Sequence, residues 1–203
     1  TTENVTFDET SVLVNEASVY DIFGDNFNNV YVYSNGGDDT ATIAGTLGND
    51  DLYVNEGYSY LRGDSRSFLN YVKGFDSVTF DAGVGGTDRA YIYDGAGNDI
   101  MTAGETQMVL DYNSVTSPGV DVRGFGFQEI NAYAVNGGND EATLIGSAGN
   151  DRFTVRDLYG RMRGNDGAYI HYAEGFDMVT GDASNTTGTD IAILFDGSGN
   201  DHL

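Results

Sequence analysis

The chain repeats itself, and this repetition limits the folds that it can adopt. Residues 35–82 align without a gap with residues 136–183, and 22 of the 48 paired residues are identical. Self-similarity at a fixed long period is typical of solenoids and other repeat architectures. We therefore interpret residues 1–203 as a single repeat array, with superrepeats at about 1–101 and about 102–203.

Each superrepeat divides into two halves of about 50 residues, and three short motifs mark them. The first motif is Gly-Phe-Asp-x-Val, at 74–78 and 175–179, with degenerate versions in the other two halves. The second is Gly-x-Asp-x-Ala, with aspartates Asp39, Asp88, Asp140 and Asp190. The third is Gly-Asn-Asp, with aspartates Asp50, Asp99, Asp151 and Asp201.

Between these motifs, side chains alternate along the chain as in Ala90-Tyr91-Ile92-Tyr93. Alternation is typical of a strand with one buried face. A strand of four to six residues with a glycine corner takes about ten residues, close to the 11 residues that separate Asp88 from Asp99. No helical periodicity is visible. We predict an all-β fold, namely a right-handed parallel β-helix (β-solenoid) built from internal repeats.

Equivalent strands that recur every half-repeat are expected to stack as parallel neighbours. The sequence then predicts an inward ladder of small side chains and another of bulky ones: Ala41, Ala90, Ala142 and Ala192, and Ile43, Ile92, Leu144 and Leu194. The less regular residues, such as 101–127, form either a second coil or a protruding side of one large coil. We favour two coils of about 25 residues in each half, close to the usual coil of a parallel β-helix.

The charge of the chain restricts its partners. It contains 32 acidic and 9 basic residues, for a formal net charge of −23. Nucleic acids and anionic membrane surfaces are therefore not expected to bind. No apolar run reaches the roughly 18 residues needed to cross a bilayer, so no membrane insertion is expected. So much like charge in one compact fold favours bound cations.

The corner motifs suit a hard cation. Calcium takes six to eight oxygen ligands, glycine corners turn carbonyl groups outward, and the aspartates add carboxylates. We predict calcium as the cofactor, held by Asp50, Asp99, Asp151, Asp201, Asp39, Asp88, Asp140 and Asp190, with the Gly-Asn-Asp row favoured. An alternative stays open, because Asp and Asn after Gly also form turns without metal. In that case Asn49, Asn98, Asn150 and Asn200 would form a hydrogen-bonded ladder.

Four segments resemble the nonapeptide of RTX (hemolysin-type) repeats, G-G-x-G-x-D-x-U-x. They are residues 45–53, 94–102, 146–154 and 196–203. That resemblance implies calcium-filled parallel β-rolls in secreted bacterial proteins. The longer pattern is similar to repeats of about 50 residues in very large bacterial extracellular proteins. Together they imply a secreted, extracellular or cell-surface location and a structural role.

We therefore predict an extracellular structural or adhesive module, as a segment of a surface-layer, fibre or adhesin assembly. It is expected to associate with itself end to end or to continue into further repeats. One alternative is a carbohydrate-binding module, because the 14 tyrosines could stack on sugar rings, although tyrosine ladders also stabilise sheets.

A second alternative is a polysaccharide lyase or epimerase. Its candidate residues are Arg62, Tyr71, Lys73, Arg163, His171 and Tyr172. We do not favour an enzyme, because Arg62 with Arg163 and Tyr71 with Tyr172 are repeat equivalents, which indicates an architectural role. The chain also lacks a Gly-x-Ser-x-Gly elbow, a His-Glu-x-x-His motif and a phosphate loop.

Overall fold

The computed structural model describes residues 3–8, 11–16, 21–25, 27–112, 121–164, 167–184 and 187–195. These residues form a β-solenoid of 20 strands and one 3-10 turn at Asp64–Arg66. The all-β solenoid predicted from the repeats is therefore confirmed, and its right-handed sense stays a prediction. Among the residues described, no helix has the length and apolar character needed to span a membrane.

Each superrepeat contributes ten strands. Those of the first are β1 (Glu3–Phe7), β2 (Ser11–Glu16), β3 (Asp21–Asp25), β4 (Asn29–Tyr33), β5 (Thr40–Ala44), β6 (Asp50–Asn55), β7 (Tyr58–Gly63), β8 (Leu69–Lys73), β9 (Ser77–Asp81) and β10 (Arg89–Tyr93). Those of the second are β11 (Ile100–Ala103), β12 (Gln107–Asp111), β13 (Asp121–Phe125), β14 (Glu129–Tyr133), β15 (Glu141–Ile145), β16 (Asp151–Arg156), β17 (Tyr159–Gly164), β18 (Ile170–Glu174), β19 (Met178–Asp182) and β20 (Ile191–Leu194).

The strands form two ten-stranded sheets, here named sheet I and sheet II. Sheet I has the order β19-β15-β11-β12-β13-β9-β5-β1-β2-β3. Sheet II has the order β20-β16-β17-β18-β14-β10-β6-β7-β8-β4. Most pairs of neighbouring strands are parallel. The antiparallel pairs are formed by β2, β7, β12 and β17, each of which is the central strand of a three-stranded meander.

Each half-repeat contains five strands, and this odd number decides the stacking. Three consecutive strands form a meander in one sheet, the fourth lies in the other sheet and the fifth returns. The next half-repeat therefore begins on the opposite sheet. Equivalent strands of successive half-repeats lie in opposite sheets. Equivalent strands share a sheet only when they are one superrepeat apart. This alternation between the two sheets accounts for the strong sequence similarity between residues that are one superrepeat apart.

The predicted ladders are consequently wrong. Ala41 in β5 pairs in register with Val5 and Val78 of sheet I, whereas Ala90 pairs with Leu52 and Ile130 of sheet II. The alternation itself was interpreted correctly, because Ala41, Ala90 and Ala142 are all buried. The error lay in assuming that every half-repeat adds the same number of strands to the same sheet.

The predicted second coil is also wrong, because the less regular residues form antiparallel meanders within one sheet. Residues 56 and 57 alone join β6 to β7, with Gly57 at φ +80°. Two-residue loops of this kind reverse a strand onto its neighbour instead of turning a corner. In the corresponding place of sheet I, the backbone groups of Gly104 and Gln107 exchange hydrogen bonds of 2.9 and 3.3 Å.

One apolar core lies between the two sheets. Its largest fully buried side chains come from both sheets: Phe7, Ile43, Leu52, Leu61, Phe80, Ile92, Met101, Met108, Leu110, Tyr112, Ile130 and Tyr169. Burying a large apolar side chain stabilises a fold by about 1.5–3 kcal/mol. Burial of these side chains therefore stabilises the packing of the two sheets and fixes the position of the corners at the edges of the sheets.

Tyrosines cover the outer face of sheet II. Neighbouring rings lie 4.8 to 6.2 Å apart between centroids, and the tyrosines in these pairs are Tyr31, Tyr33, Tyr53, Tyr58, Tyr60, Tyr71, Tyr91, Tyr93, Tyr133, Tyr159 and Tyr172. Aromatic pairs of this kind contribute about 0.5–1.5 kcal/mol beyond area burial. Because the rings pack mainly on each other, they act as a cross-strand layer that stabilises the sheet.

Candidate metal centre

The predicted aspartates lie at the corners where strands begin, and most are buried. Six of the eight have at most 3% of their surface exposed: Asp39, Asp50, Asp88, Asp99, Asp140 and Asp151. Asp190 is exposed, beside the last strand of sheet II. Asp201 lies outside the described residues. Burial of this many carboxylates is unusual, because an ionised carboxylate needs hydrogen bonds or a cation in the interior.

Hydrogen bonds connect these aspartates from one turn to the next. In sheet II, the backbone N–H of Asp50 donates to Asp88 Oδ1 at 2.8 Å, and that of Asp88 donates to Gln128 Oε1 at 2.6 Å. In sheet I, the N–H of Asp99 donates to Asp140 Oδ1, and that of Asp140 donates to Asp177 Oδ2, both at 2.8 Å. Each side chain therefore satisfies the backbone of the preceding turn.

These rows correct the sequence prediction. Each row mixes motifs: a Gly-Asn-Asp aspartate is followed by a Gly-x-Asp-x-Ala aspartate and then by the Gly-Phe-Asp position. The predicted row of Asp50, Asp99, Asp151 and Asp201 is not formed among the described residues, because successive half-repeats begin on opposite sheets. The Gly-Phe-Asp position, which holds Gln128 in one row and Asp177 in the other, is the third member of both rows.

The Gly-Asn-Asp motif also closes its own corner. The backbone N–H groups of Thr46, Gly95 and Ser147 each donate to the Oδ2 atom of the aspartate four residues later, at 2.7, 2.7 and 2.8 Å. The asparagine accepts from the following turn, as when Thr87 N–H donates to Asn49 Oδ1 at 2.7 Å. Asn49, Asn98 and Asn150 therefore do not form the alternative asparagine ladder, and Asn200 lies outside the described residues. The corner motifs have a structural role whether or not a metal binds.

One corner brings three carboxylates together. Asp94, Asp99 and Asp140 each offer an oxygen, and these oxygens all lie within 4.8 Å of one another. All three residues are buried. Asp99 begins the turn into β11, Asp140 precedes β15, and Asp94 follows β10. We name these three residues the Asp94 cluster.

Asp94 is the member that the sequence interpretation missed. The residue five positions before the Gly-Asn-Asp aspartate is Gly45, Asp94, Gly146 and Asp196 in the four half-repeats. A Cβ atom at Gly45 would lie 2.6 Å from Asp50 Oδ2, and one at Gly146 would lie 2.8 Å from Asp151 Oδ2. This alternation of glycine and aspartate was visible in the sequence and marks the corners that have room for another carboxylate.

Hydrogen bonds hold Asp94 in place. Its Oδ1 accepts from the backbone N–H of Val135 at 2.8 Å, and both carboxylate oxygens accept from the N–H of Asn136 at 3.0 and 3.1 Å. The Asn136 side chain in turn donates to the Asp94 carbonyl at 2.8 Å. The carboxylate is thus fixed by the turn after β14 instead of rotating into solvent.

The electrostatics of the cluster favour a cation. Burial, followed by the charges of Asp94 and Asp177, raises the pKa of Asp140, against the lowering effect of the Asp99 N–H. The carboxylate oxygens of the three residues lie within 4.8 Å of one another. At an effective dielectric constant of about 20, two charges at this separation repel by about 3 kcal/mol. A bound cation or a proton would relieve that repulsion.

The corner at Asp88 also contains a buried carboxylate that would be stabilised by a cation. Burial raises the pKa of Asp88 to about 6, and the charges of Asp50 and Asp51 add to the effect. The Oδ2 atom of Asp88 is buried and has no hydrogen-bond partner within the described part of the chain. A buried polar atom without a partner is costly, so this oxygen is a further candidate ligand.

His171 is not part of a surface site, although the sequence offered it as a catalytic candidate. It is fully buried, and neither ring nitrogen has a hydrogen-bond partner in the described ranges. Tyr172 and Arg163 lie on the outer face of sheet II instead. Arg62 donates to Asp51 and Tyr53 at 3.0 and 2.8 Å. The structure therefore does not bring His171 together with the other candidates.

We expect His171 to make the fold sensitive to acid. Burial lowers its pKa to about 4, against about 6.5 in an unfolded chain. The folded state therefore resists protonation, and stability should fall as the pH drops below about 6.5. Between pH 7.5 and pH 5 this group should remove on the order of 2 kcal/mol from the free energy of unfolding.

Urea unfolding of the chain and of the His171→Asn variant at both pH values measures this effect. Asparagine is the natural control, because Asn70 occupies the equivalent position, where its Nδ2 donates to the Asp8 carbonyl at 2.9 Å. The variant should lose less stability between pH 7.5 and 5. Equal losses in the two proteins would show that His171 does not titrate in this way.

Comparison of the chain with protein-family models, with curated proteins and with solved structures finds no match. The likeness of the corner segments to RTX repeats therefore stays a prediction from the residues. Function must be argued from the geometry of the molecule itself.

Proposed function

We propose that this chain is an extracellular structural or adhesive β-solenoid module stabilised by calcium at its corners. The observation that carries the proposal is the Asp94 cluster, with three buried carboxylate oxygens within 4.8 Å of one another. The orphaned Asp88 Oδ2 supports a second calcium position at the corresponding edge of sheet II.

The donor set favours calcium over other metals. The cluster offers only carboxylate oxygens, and hard cations such as calcium take oxygen ligands whereas zinc and copper favour nitrogen and sulfur. The chain contains no cysteine. Calcium also tolerates irregular coordination and accepts backbone carbonyls and water as further ligands at about 2.3–2.6 Å.

Calcium at this place would link parts of the chain that are far apart in sequence. Asp94 and Asp99 flank the loop between β10 and β11, and Asp140 precedes β15, which pairs with β11. An ion bound to all three residues joins two successive turns of the solenoid. The extracellular location is proposed because the corner segments resemble repeats of secreted bacterial proteins, and extracellular modules bind calcium with dissociation constants of about 10⁻⁴–10⁻³ M.

The solenoid itself suits a mechanical role. Two sheets with one continuous core form a stiff rod, and the charge of −23 keeps such rods apart in solution. At the β19–β20 end, the apolar side chains of Met178 and Leu194 are half exposed. This surface supports end-to-end association with a second copy or packing against a further repeat, within a surface-layer, fibre or adhesin assembly.

Isothermal titration of the EDTA-treated chain with calcium chloride tests the proposal. The Asp94→Asn variant removes one of three carboxylate ligands and should weaken binding at the cluster at least about tenfold, or about 1.4 kcal/mol. Asp38→Asn removes the same charge from an exposed position and should leave the affinity unchanged. Titration in about 0.15 M salt screens diffuse attraction to the acidic surface. Absence of binding, or equal affinities in both variants, would reject the calcium centre.

A further inference from the structure

The basic side chains of this acidic chain are concentrated on one surface. Seven of the nine lysines and arginines lie at outward positions of sheet II: Arg62, Lys73, Arg89, Arg152, Arg156, Arg161 and Arg163. A random distribution over two outer faces and many loops would scatter them. The outer face of sheet II therefore differs in charge from the rest of the molecule.

In the first superrepeat these arginines are neutralised within the chain. Arg62 Nη2 lies 3.0 Å from Asp51 Oδ2, and Arg89 Nε lies 2.8 Å from Glu129 Oε2. Arg62 and Asp51 are directly opposite each other on β7 and β6. Opposite charges facing each other across two strands stabilise a sheet, so this pair has a sufficient structural explanation.

The second superrepeat replaces that pair with two like charges. Arg163 is the equivalent of Arg62, and Arg152 stands in the place of Asp51. The two arginines face each other across β16 and β17. Like charges directly opposite each other destabilise a sheet. Because Arg152 in the place of Asp51 costs stability, we infer that it interacts with a partner outside the chain.

Two further arginines extend this surface. Arg161 lies on β17 beside Arg163, and Arg156 lies on β16. We name Arg152, Arg156, Arg161 and Arg163 the arginine patch. All four are exposed, and none takes part in an ion pair among the described residues. Arg156 instead stacks its guanidinium 4.2 Å above the centre of the Phe195 ring.

The surroundings of the arginine patch define its chemistry. Its outward neighbours include Tyr159 and Tyr172, the buried Thr154 and, on the adjacent strands, Ile170 and the exposed Ile191. The nearby carboxylate of Glu174 accepts the hydroxyl hydrogen of Tyr172 at 2.9 Å. The surface is thus flat, rich in hydrogen-bond donors and positively charged. Guanidinium groups bind carboxylate, sulfate or phosphate in a bidentate manner.

We propose that the arginine patch binds an acidic polysaccharide whose sugars carry carboxylate or sulfate groups. An extended ligand suits a sheet face, several regularly spaced anions suit four guanidinium groups, and sugar hydroxyls suit the half-buried Tyr159 and Tyr172. This proposal does not depend on the calcium centre, because the patch lies on the outer face of sheet II and the Asp94 cluster lies at a corner.

Two other classes of polyanion fit less well. Duplex DNA carries one charge per about 1.7 Å, and without the four arginines the chain has a formal charge of −27, which repels so dense a polyanion. Protein interfaces have an apolar centre, whereas threonine and tyrosine lie between these arginines and the exposed apolar side chains of Ile191 and Phe195 lie only at one border of the patch. A polysaccharide with fewer charges per unit length avoids both difficulties.

Binding of polygalacturonate, measured by surface plasmon resonance in about 50 mM salt with millimolar calcium, tests the proposal. The key variant is Arg152→Asp, which recreates opposite Arg163 the acid–arginine pair of Asp51 and Arg62. It should fold as well as the parent, which its urea midpoint checks, and should weaken polygalacturonate binding at least about tenfold, because two guanidinium groups are removed or neutralised. Arg123→Asp, at an exposed arginine of sheet I, changes the net charge by the same amount and should bind as the parent does.

Several outcomes would overturn the proposal. Absence of binding to both polygalacturonate and dextran sulfate would do so, as would equal binding to neutral dextran. Calcium bridging between the acidic chain and the polymer would leave Arg152→Asp unaffected. Binding only to poly-glutamate or only to single-stranded DNA would assign the patch to an acidic protein or to a nucleic acid instead.

Discussion

Replacing Phe80 with alanine is expected to lower the free energy of unfolding by about 3–5 kcal/mol. Phe80 is fully buried in β9, opposite Ile43 in β5 and Gly124 in β13. Truncation leaves a cavity between the two sheets, and both sheets are fixed by their ladders and cannot close it. Urea unfolding at 25 °C measures the loss.

Thr79→Ala on the same strand is the control. Its side chain points away from the core, and surface substitutions usually change stability by no more than about 0.5 kcal/mol. If Phe80→Ala and Thr79→Ala had similar effects, the core would not lie between the sheets as described.

Removal of calcium should have the second large effect. A ligand at 100 times its dissociation constant stabilises the folded state by about 2.7 kcal/mol per site. Urea unfolding in excess EDTA should therefore show a free energy lower by at least that amount than unfolding in saturating calcium. The Asp94→Asn variant should lose at least about half of the contribution of the Asp94 cluster, because tenfold weaker binding removes about 1.4 kcal/mol, whereas Asp38→Asn should retain it. If the urea unfolding curves with and without calcium superimpose, calcium does not stabilise the fold.

The repeats predicted the solenoid and the strands because both depend on local patterns. Alternation along the chain marks inward residues such as Ala41 and Ala90, and glycine-rich motifs mark corners. What local patterns did not reveal was the number of strands between corners. That number depends on whether a short loop, such as the one at Gly57, turns the chain into the other sheet or back onto its neighbour.

Substitutions at equivalent core positions of the two superrepeats could likewise not be interpreted from the sequence alone. Phe80 has Gly181 as its equivalent, and Leu52 has Phe153. A Cβ atom at Gly181 would lie 2.5 Å from the Phe153 ring, so the larger ring has taken the space that a side chain would need. The second copy therefore holds one large side chain where the first holds two, and only the structure shows that Phe153 occupies the space beside Gly181.

The candidate sites were missed for a related reason. The sequence interpretation used residues present in every half-repeat, which identified Asp99 and Asp140. Asp94 recurs only in alternate half-repeats and Arg152 stands where the first superrepeat has Asp51, and their importance follows from the residues that they meet in space. In this chain the residues shared by every half-repeat build the corners, and Asp94 and Arg152, which are not shared by every half-repeat, complete the proposed binding sites.

Anomalous X-ray diffraction from crystals grown in millimolar calcium is the most direct test of the calcium-stabilised solenoid. We expect an anomalous peak at the Asp94 cluster, within about 2.3–2.6 Å of oxygens from Asp94, Asp99 and Asp140. No peak at this corner, with the three carboxylates held only by the N–H groups of their own and neighbouring turns, would contradict it.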